Sequence, residues 1–249
     1  MKPFALLVIV NCVAGVSYAQ TNQPPPPAAR EEVIAVVMGR NIAAKDKEKL
    51  LGLILEPILD KFAVENKIEP TKEEVEAYVV KAYERDRRSR ADDEAQRQKL
   101  LAELKGNTLS GKQQDAKEAQ LQRLERLLKE SLEREEEERA LGLAEANELR
   151  TAKREFARHI LKTWKINQAL HAKYGGRVLF EQAGPQPLDA FRQVLREAEK
   201  KGSFQILNKQ VEADFWRTFT DHRGHRFYPK ELEAKAFSSP WGIEESAPK

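Results

Sequence analysis

The spacing of apolar residues changes character along this chain, and each change predicts an element. Val33 to Met38 is rich in β-branched residues and reads as a strand. Gly39-Arg40 and then Asn41-Ile42-Ala43 follow, and glycine first in a two-residue connection predicts a type II′ hairpin. The competing reading is one strand running into a loop. The spacing then becomes helical. Asp46 can cap a helix to about Asn66, with Leu50, Leu51, Ile54, Leu55, Ile58, Leu59 and Phe62 on a broad apolar face. Pro57 lies inside it and is expected to kink or split it.

A boundary at Pro70 precedes Thr71-Lys72-Glu73-Glu74, which has the capping-box pattern. The helix it opens carries Val75, Tyr78, Val79 and Ala82 at helical spacing. From Tyr83 to about Asp93 the chain is mostly charged. Two helical stretches are expected after that, separated by a break over Gly106-Asn107 and Gly111. Leu121, Leu124, Leu128 and Leu132 form a narrow stripe in the second, which Glu135 to Glu138 interrupts. A narrow stripe in dense charge predicts a projecting helical hairpin over about 92–148. A coiled-coil dimer is the alternative, and the stripe covers few heptads for it.

From about Asn147 to Tyr174 the apolar residues Phe156, Ile160, Leu161, Trp164, Ile166 and Leu170 point in several directions, which predicts a helix buried on more than one side. Arg150 to Arg177 holds eight Lys or Arg against one acid, Glu155. Such a face is solvated, paired internally with the acidic tract of the preceding helix, or presented to acidic clients or anionic headgroups; internal pairing or solvation is the simpler reading. Gly175-Gly176 ends the helix, and Arg177 to Glu181 reads as a strand. Pro187 opens a helix to about Lys201, stopped by Gly202. Phe204 to Leu207 reads as a short strand, and Phe215, Trp216 and Phe219 share one helical side. Beyond Tyr228 the chain is polar with scattered aromatics and is expected to be loosely ordered.

The first residues change where the protein is expected to work. Lys2, the apolar run Phe4 to Val16 and the small residues of Ser17-Tyr18-Ala19 have the layout of a secretory signal over residues 1–19, with an apolar run too short to span a bilayer. Asn11 before Cys12 fits a lipoprotein cleavage site poorly. Pro24 to Pro27 predicts an extended linker over residues 20–32. Cleavage after Ala19 leaves 230 of the 249 residues and removes Cys12, the single cysteine, so stability is expected to rest on packing and not on disulfides. Charged residues make up 33% of the chain but nearly cancel, with 43 Lys and Arg against 40 Asp and Glu. With a mean hydropathy of −0.66, this predicts a helical, ion-laced surface with no integral membrane span and argues against a dedicated nucleic-acid binder.

Candidate chemistry is sparse. Asp221, His222 and His225 are the only compact metal-capable set, with Gly224 between the histidines and no third histidine or cysteine near, so no metal site is assigned. There is no glycine-rich phosphate loop and no Gly-x-Ser-x-Gly elbow, and no cofactor is implied.

Two segments carry a family resemblance. Val36-Val37-Met38-Gly39-Arg40-Asn41-Ile42 before a long apolar helix, and Asn66-Lys67-Ile68-Glu69-Pro70-Thr71-Lys72-Glu73-Glu74-Val75 after it, resemble the N-terminal chaperone domain of SurA-type periplasmic folding factors and related exported prolyl isomerases. The likeness covers about fifty residues. It implies a mostly α fold with a small antiparallel β element, completed by a C-terminal strand returning to the hairpin; Arg177–Glu181 is the natural candidate. Ala157-Arg158-His159-Ile160-Leu161 is similar to a parvulin opening, but it reads as continuous helix, and parvulin pocket residues have no clear counterparts. The resemblance implies an ATP-independent periplasmic holdase for unfolded secreted or outer-membrane polypeptides, with Tyr78, Trp164 and Phe191 as candidate client contacts, although core burial would explain each of the three. A diverged prolyl isomerase and a helical envelope scaffold are the other two readings.

Overall fold

In the computed structural model the described residues are 31–106, 110–181, 184–221 and 225–241. The signal-peptide residues and the proline run lie outside them, as do His222 and Gly224. The fold is mostly α, with a small antiparallel sheet and a long helical hairpin.

The β-hairpin forms with its turn one residue earlier than expected. Strand β1 (Val33–Val37) pairs antiparallel with β2 (Arg40–Ala43), and Met38-Gly39 connects them. Both turn residues have positive φ, 49° at Met38 and 79° at Gly39, the signature of a type I′ turn and not type II′. A left-handed methionine is uncommon, and here the twist of the paired strands holds it. The other edge of β1 is taken by β5 (Phe204–Ile206), with Ala35 opposite Ile206 and Val37 opposite Phe204. Met38 N–H donates to Ser203 O and Leu207 N–H to Ile34 O, both at 2.8 Å, extending the ladder at each end. The returning strand is therefore Phe204–Ile206, not Arg177–Glu181.

The reason lies in the two segments. Phe204-Gln205-Ile206 alternates buried, exposed, buried, as a strand with one core face must. Arg177 is instead clamped by Asp189, which accepts from its backbone N–H at 2.8 Å and from its guanidinium at 2.8 and 2.6 Å. Gly176, at φ +90°, permits this approach; a Cβ there would lie 2.5 Å from the Asp189 Cβ. Only Val178–Leu179 is left as strand β3, paired with β4 (Gln186–Pro187) and bridged to Phe227.

Helix α1 (Leu50–Glu65) follows a 3-10 segment, Ala44–Lys49, that contains Asp46, so Asp46 does not cap it. Pro57 does not split it: the missing N–H costs one bond, and Leu50, Ile54, Ile58 and Phe62 are all buried on its two sides. These residues form the main core with β1, β5, the C-terminal part of α4 (Leu143–Tyr174), α5 (Leu188–Lys200) and α6 (Lys209–Arg217). Ile54, Leu170, Leu195 and Phe219 are among its most buried side chains. Burial of each contributes about 1.5–3 kcal/mol.

Helix α2 (Lys72–Lys105) begins at the expected capping box: Thr71 Oγ1 accepts from Glu74 N–H, and Glu74 Oε2 accepts from Thr71 N–H at 2.7 Å. It then runs unbroken through the charged stretch, about 50 Å at 1.5 Å per residue. Helix α3 (Gly111–Ala140) packs back against it. Leu100 and Leu124 are buried between them, while Leu127 and Leu132 are about half exposed. Pairs Arg90–Glu135, Arg97–Glu125 and Glu103–Lys117 climb the seam. The paired part of the hairpin begins near Arg90, and α2 runs into it without a break.

The basic side of α4 is paired internally. Lys153 meets Glu138, Arg154 meets Glu76, Arg158 meets Glu69, Lys162 meets Asp60 and Lys165 meets Glu74, at 2.5–3.5 Å. Residues 229–241, expected to be loosely ordered, pack against the base: Phe237 is 3% exposed, packs with Val178 and Ala236, lies 5.0 Å from the His171 ring, and its carbonyl accepts from Gln168. Apolar Phe237 following the short helix α7 (Glu233–Ala236) supplies the anchor that a polar reading of this segment overlooks.

Candidate functional site

Where α2, α3 and α4 converge at the root of the hairpin, the facing positions carry Ala82, Ser131, Ala152 and Ala157. Three helices closing on small side chains cannot fill the space between them, and a cleft of about 610 Å³ remains. Tyr78, Val79 and Ala157 form its apolar floor, continuous with the small cluster of Val75 and Leu161. Phe156 stands at the wall with 64% of its surface exposed, so the expectation that it is buried with the rest of α4 fails: Leu161, Ile166 and Leu170 face the core, and Phe156 does not.

The rim is charged with both signs. Arg90 donates to Glu135, which also accepts from Arg139 at 2.7 Å; together the two guanidinium groups hold the Glu135 carboxyl at about 2. Lys153 donates to Tyr83 Oη at 2.8 Å and to Glu138 at 2.7 Å. Burial pulls the Lys153 ammonium down, but its bonds to Glu138 and Tyr83 outweigh that, and the net shift is upward. Glu135 and Lys153 therefore keep fixed charge around neutral pH. Such groups suit a solvated rim and a binding role better than proton exchange, which needs a group poised near the working pH.

One end of the cleft is closed by the chain itself. The Trp241 indole stacks on Tyr78, centroids 4.4 Å apart and planes 11° from parallel, and the Arg85 guanidinium carbon lies 4.7 Å from the same indole. Burial raises the Tyr78 phenol, against a smaller lowering by Arg85.

Of the three side chains expected to meet a client, only Tyr78 reaches this cleft. Phe191 is 6% exposed in the main core. Trp164 joins the two minor apolar clusters and borders a separate cavity of about 30 Å³, too small for a side chain. Sequence reading passed over Tyr83, Phe156, Lys153 and Trp241. The available signal was the set of alanines at facing positions on α2 and α4, visible only once the two helices are known to be neighbours.

Asp221 and His225 are described but His222 is not, and among the described residues no three His, Cys, Asp or Glu side chains are grouped to hold a metal ion. No described helix is long and apolar enough to cross a membrane. No protein-family model, curated protein or solved structure gives a significant match to this chain.

Proposed function

We propose that this protein is an exported, ATP-independent holdase that shelters apolar segments of unfolded polypeptides in the cleft at the root of the α2–α3 hairpin. The observation that carries the reading is the cleft: an apolar floor of Tyr78, Val79 and Ala157 with exposed Phe156 beside it, enclosed by a rim of Arg90, Glu135, Glu138 and Lys153. An exposed apolar surface is a liability unless it has a partner, and a rim of both charges keeps it soluble while admitting clients of varied sequence. The SurA-type resemblance supports the same reading only through the order of hairpin, apolar helix and capped helix. The strand that joins the hairpin is Phe204–Ile206 and not Arg177–Glu181, so the returning strand that the resemblance implies lends it no support. Ala157 to Leu161, the segment likened to a parvulin opening, lies inside α4.

The test is light scattering from an unfolded outer-membrane β-barrel protein diluted with an equimolar amount of the protein. Wild type is expected to slow aggregation, and Ala152→Trp, which fills the cleft from an exposed position, is expected to lose most of that effect. No protection by wild type, or equal protection by the variant, rejects the reading. Prolyl isomerisation well above the uncatalysed rate in a protease-coupled assay would favour the isomerase instead.

A further inference from the structure

We infer that Trp241 is a side-chain lid over the Tyr78 end of the cleft, which an incoming apolar segment must displace to reach that ring. The inference rests on the reading of the cleft as a binding site and concerns its regulation. Trp241 is reached by a short strap from Phe237, which is anchored in the base by burial and by the Gln168 bond to its carbonyl. The backbone bonds after that anchor are local: Ser238 N–H donates to Lys235 O at 3.0 Å, and Trp241 N–H donates to Ser239 Oγ at 3.0 Å. The strap's hold on α2 is the indole ring, stacked on Tyr78 with Arg85 against it.

Position and attachment together define a lid. The ring covers Tyr78, the aromatic part of the apolar floor, and it can leave by rotating about its own side chain while Phe237 stays in place. An aromatic stack supplemented by a cation is strong enough to keep the covered state dominant yet weak enough to be reversed by a modest competitor. When the binding-competent state is a minor fraction, apparent affinity falls by that fraction. A covered-to-open ratio of about ten lowers apparent affinity about tenfold. The same contact keeps one face of the Tyr78 ring out of water while no client is present.

The experiment measures binding of 1-anilinonaphthalene-8-sulfonate, by fluorescence, to the full chain and to Trp241→Ala. The dye is expected to bind the variant about tenfold more tightly, the gain to vanish when Ala152→Trp is added, and Trp241→Phe, which keeps a stacking ring, to remain near wild type. Circular dichroism checks that each variant is folded. Unchanged or weaker dye binding by folded Trp241→Ala overturns the lid, as does a gain that survives Ala152→Trp. The same proteins are then titrated with a fluorescently labelled, unfolded outer-membrane protein. Dye gain without polypeptide binding rejects the holdase reading and leaves the lid standing; polypeptide binding that Ala152→Trp abolishes and Trp241→Ala leaves unaltered rejects the lid alone.

Discussion

The base and the hairpin of this protein are held together by different forces. In the base, α1, α4, α5 and α6 enclose a three-stranded sheet, and aromatic side chains crowd the centre: Phe219 stands edge-on to Phe215 at 5.8 Å, and Phe215 edge-on to Trp216 at 5.0 Å. In the hairpin, α2 and α3 bury two leucines and join their seam with ion pairs whose side chains remain a quarter to a half exposed. Exposed pairs contribute little each, about 0–1 kcal/mol. The hairpin therefore depends on helix propensity and many small electrostatic gains, and the base on burial. The cleft forms where the two regimes meet, with an apolar floor shared by α2 and α4 and a charged rim shared by α2, α3 and α4.

The largest expected effect breaks the base. Phe219→Ala removes a ring 2% exposed and should cost about 3–5 kcal/mol, read as a lower urea midpoint for the whole chain. An unchanged midpoint would mean that the aromatic centre is not what holds the base. Leu124→Ala should cost less, about 2 kcal/mol, at the lower end of leucine truncations because the narrow hairpin can close over the gap. Its loss should appear as faster amide exchange in α2 beyond Arg90 and in α3, with α5 and β5 unchanged. Uniform acceleration would erase the distinction between the regions.

The smallest effect sharpens the electrostatic half of the comparison. Arg90 and then Arg139 hold Glu135 at about 2 against an ordinary 4.5, and Lys117 lowers Glu103 in the same direction. A carboxylate lowered on folding contributes stability that is fully present above its unfolded value and is lost as pH falls through its folded value. Amide protection in α3 should therefore decline between about pH 4.5 and pH 2, and Glu135→Gln should reduce that decline, while the base, where Arg177 lowers Asp189 from an ordinary 3.8, should begin to respond only below that value. A hairpin as acid-resistant as the base would show that its ion pairs contribute nothing.

Local motifs were the legible part of the chain. The Thr71–Glu74 box needs only residues three apart, the α1 face shows in its own periodicity, and the pairing of a basic α4 follows from charge counted over one helix. The unbroken course of α2 carries no apolar period through its charged middle, and the partner helix α3 meets α2 there and just beyond through Arg90–Glu135 and Arg97–Glu125. Residues 229–241 pack on the base because one anchor, Phe237, outweighs several polar neighbours once it finds His171 and Val178.

By itself, the sequence determined the mostly helical class, the β-hairpin, the capped start of α2 and the stop at Gly175-Gly176, all set by interactions among residues within a few positions of one another. Tertiary structure decided which strand joins β1, which side chains enclose the cleft and where Trp241 rests. Those outcomes depend on pairs far apart in sequence, Ala35 with Ile206, Tyr83 with Lys153 and Tyr78 with Trp241. Each is chosen by competition among packing arrangements that no local pattern ranks: Arg177 is held by Asp189, and the edge of β1 is taken by Phe204–Ile206.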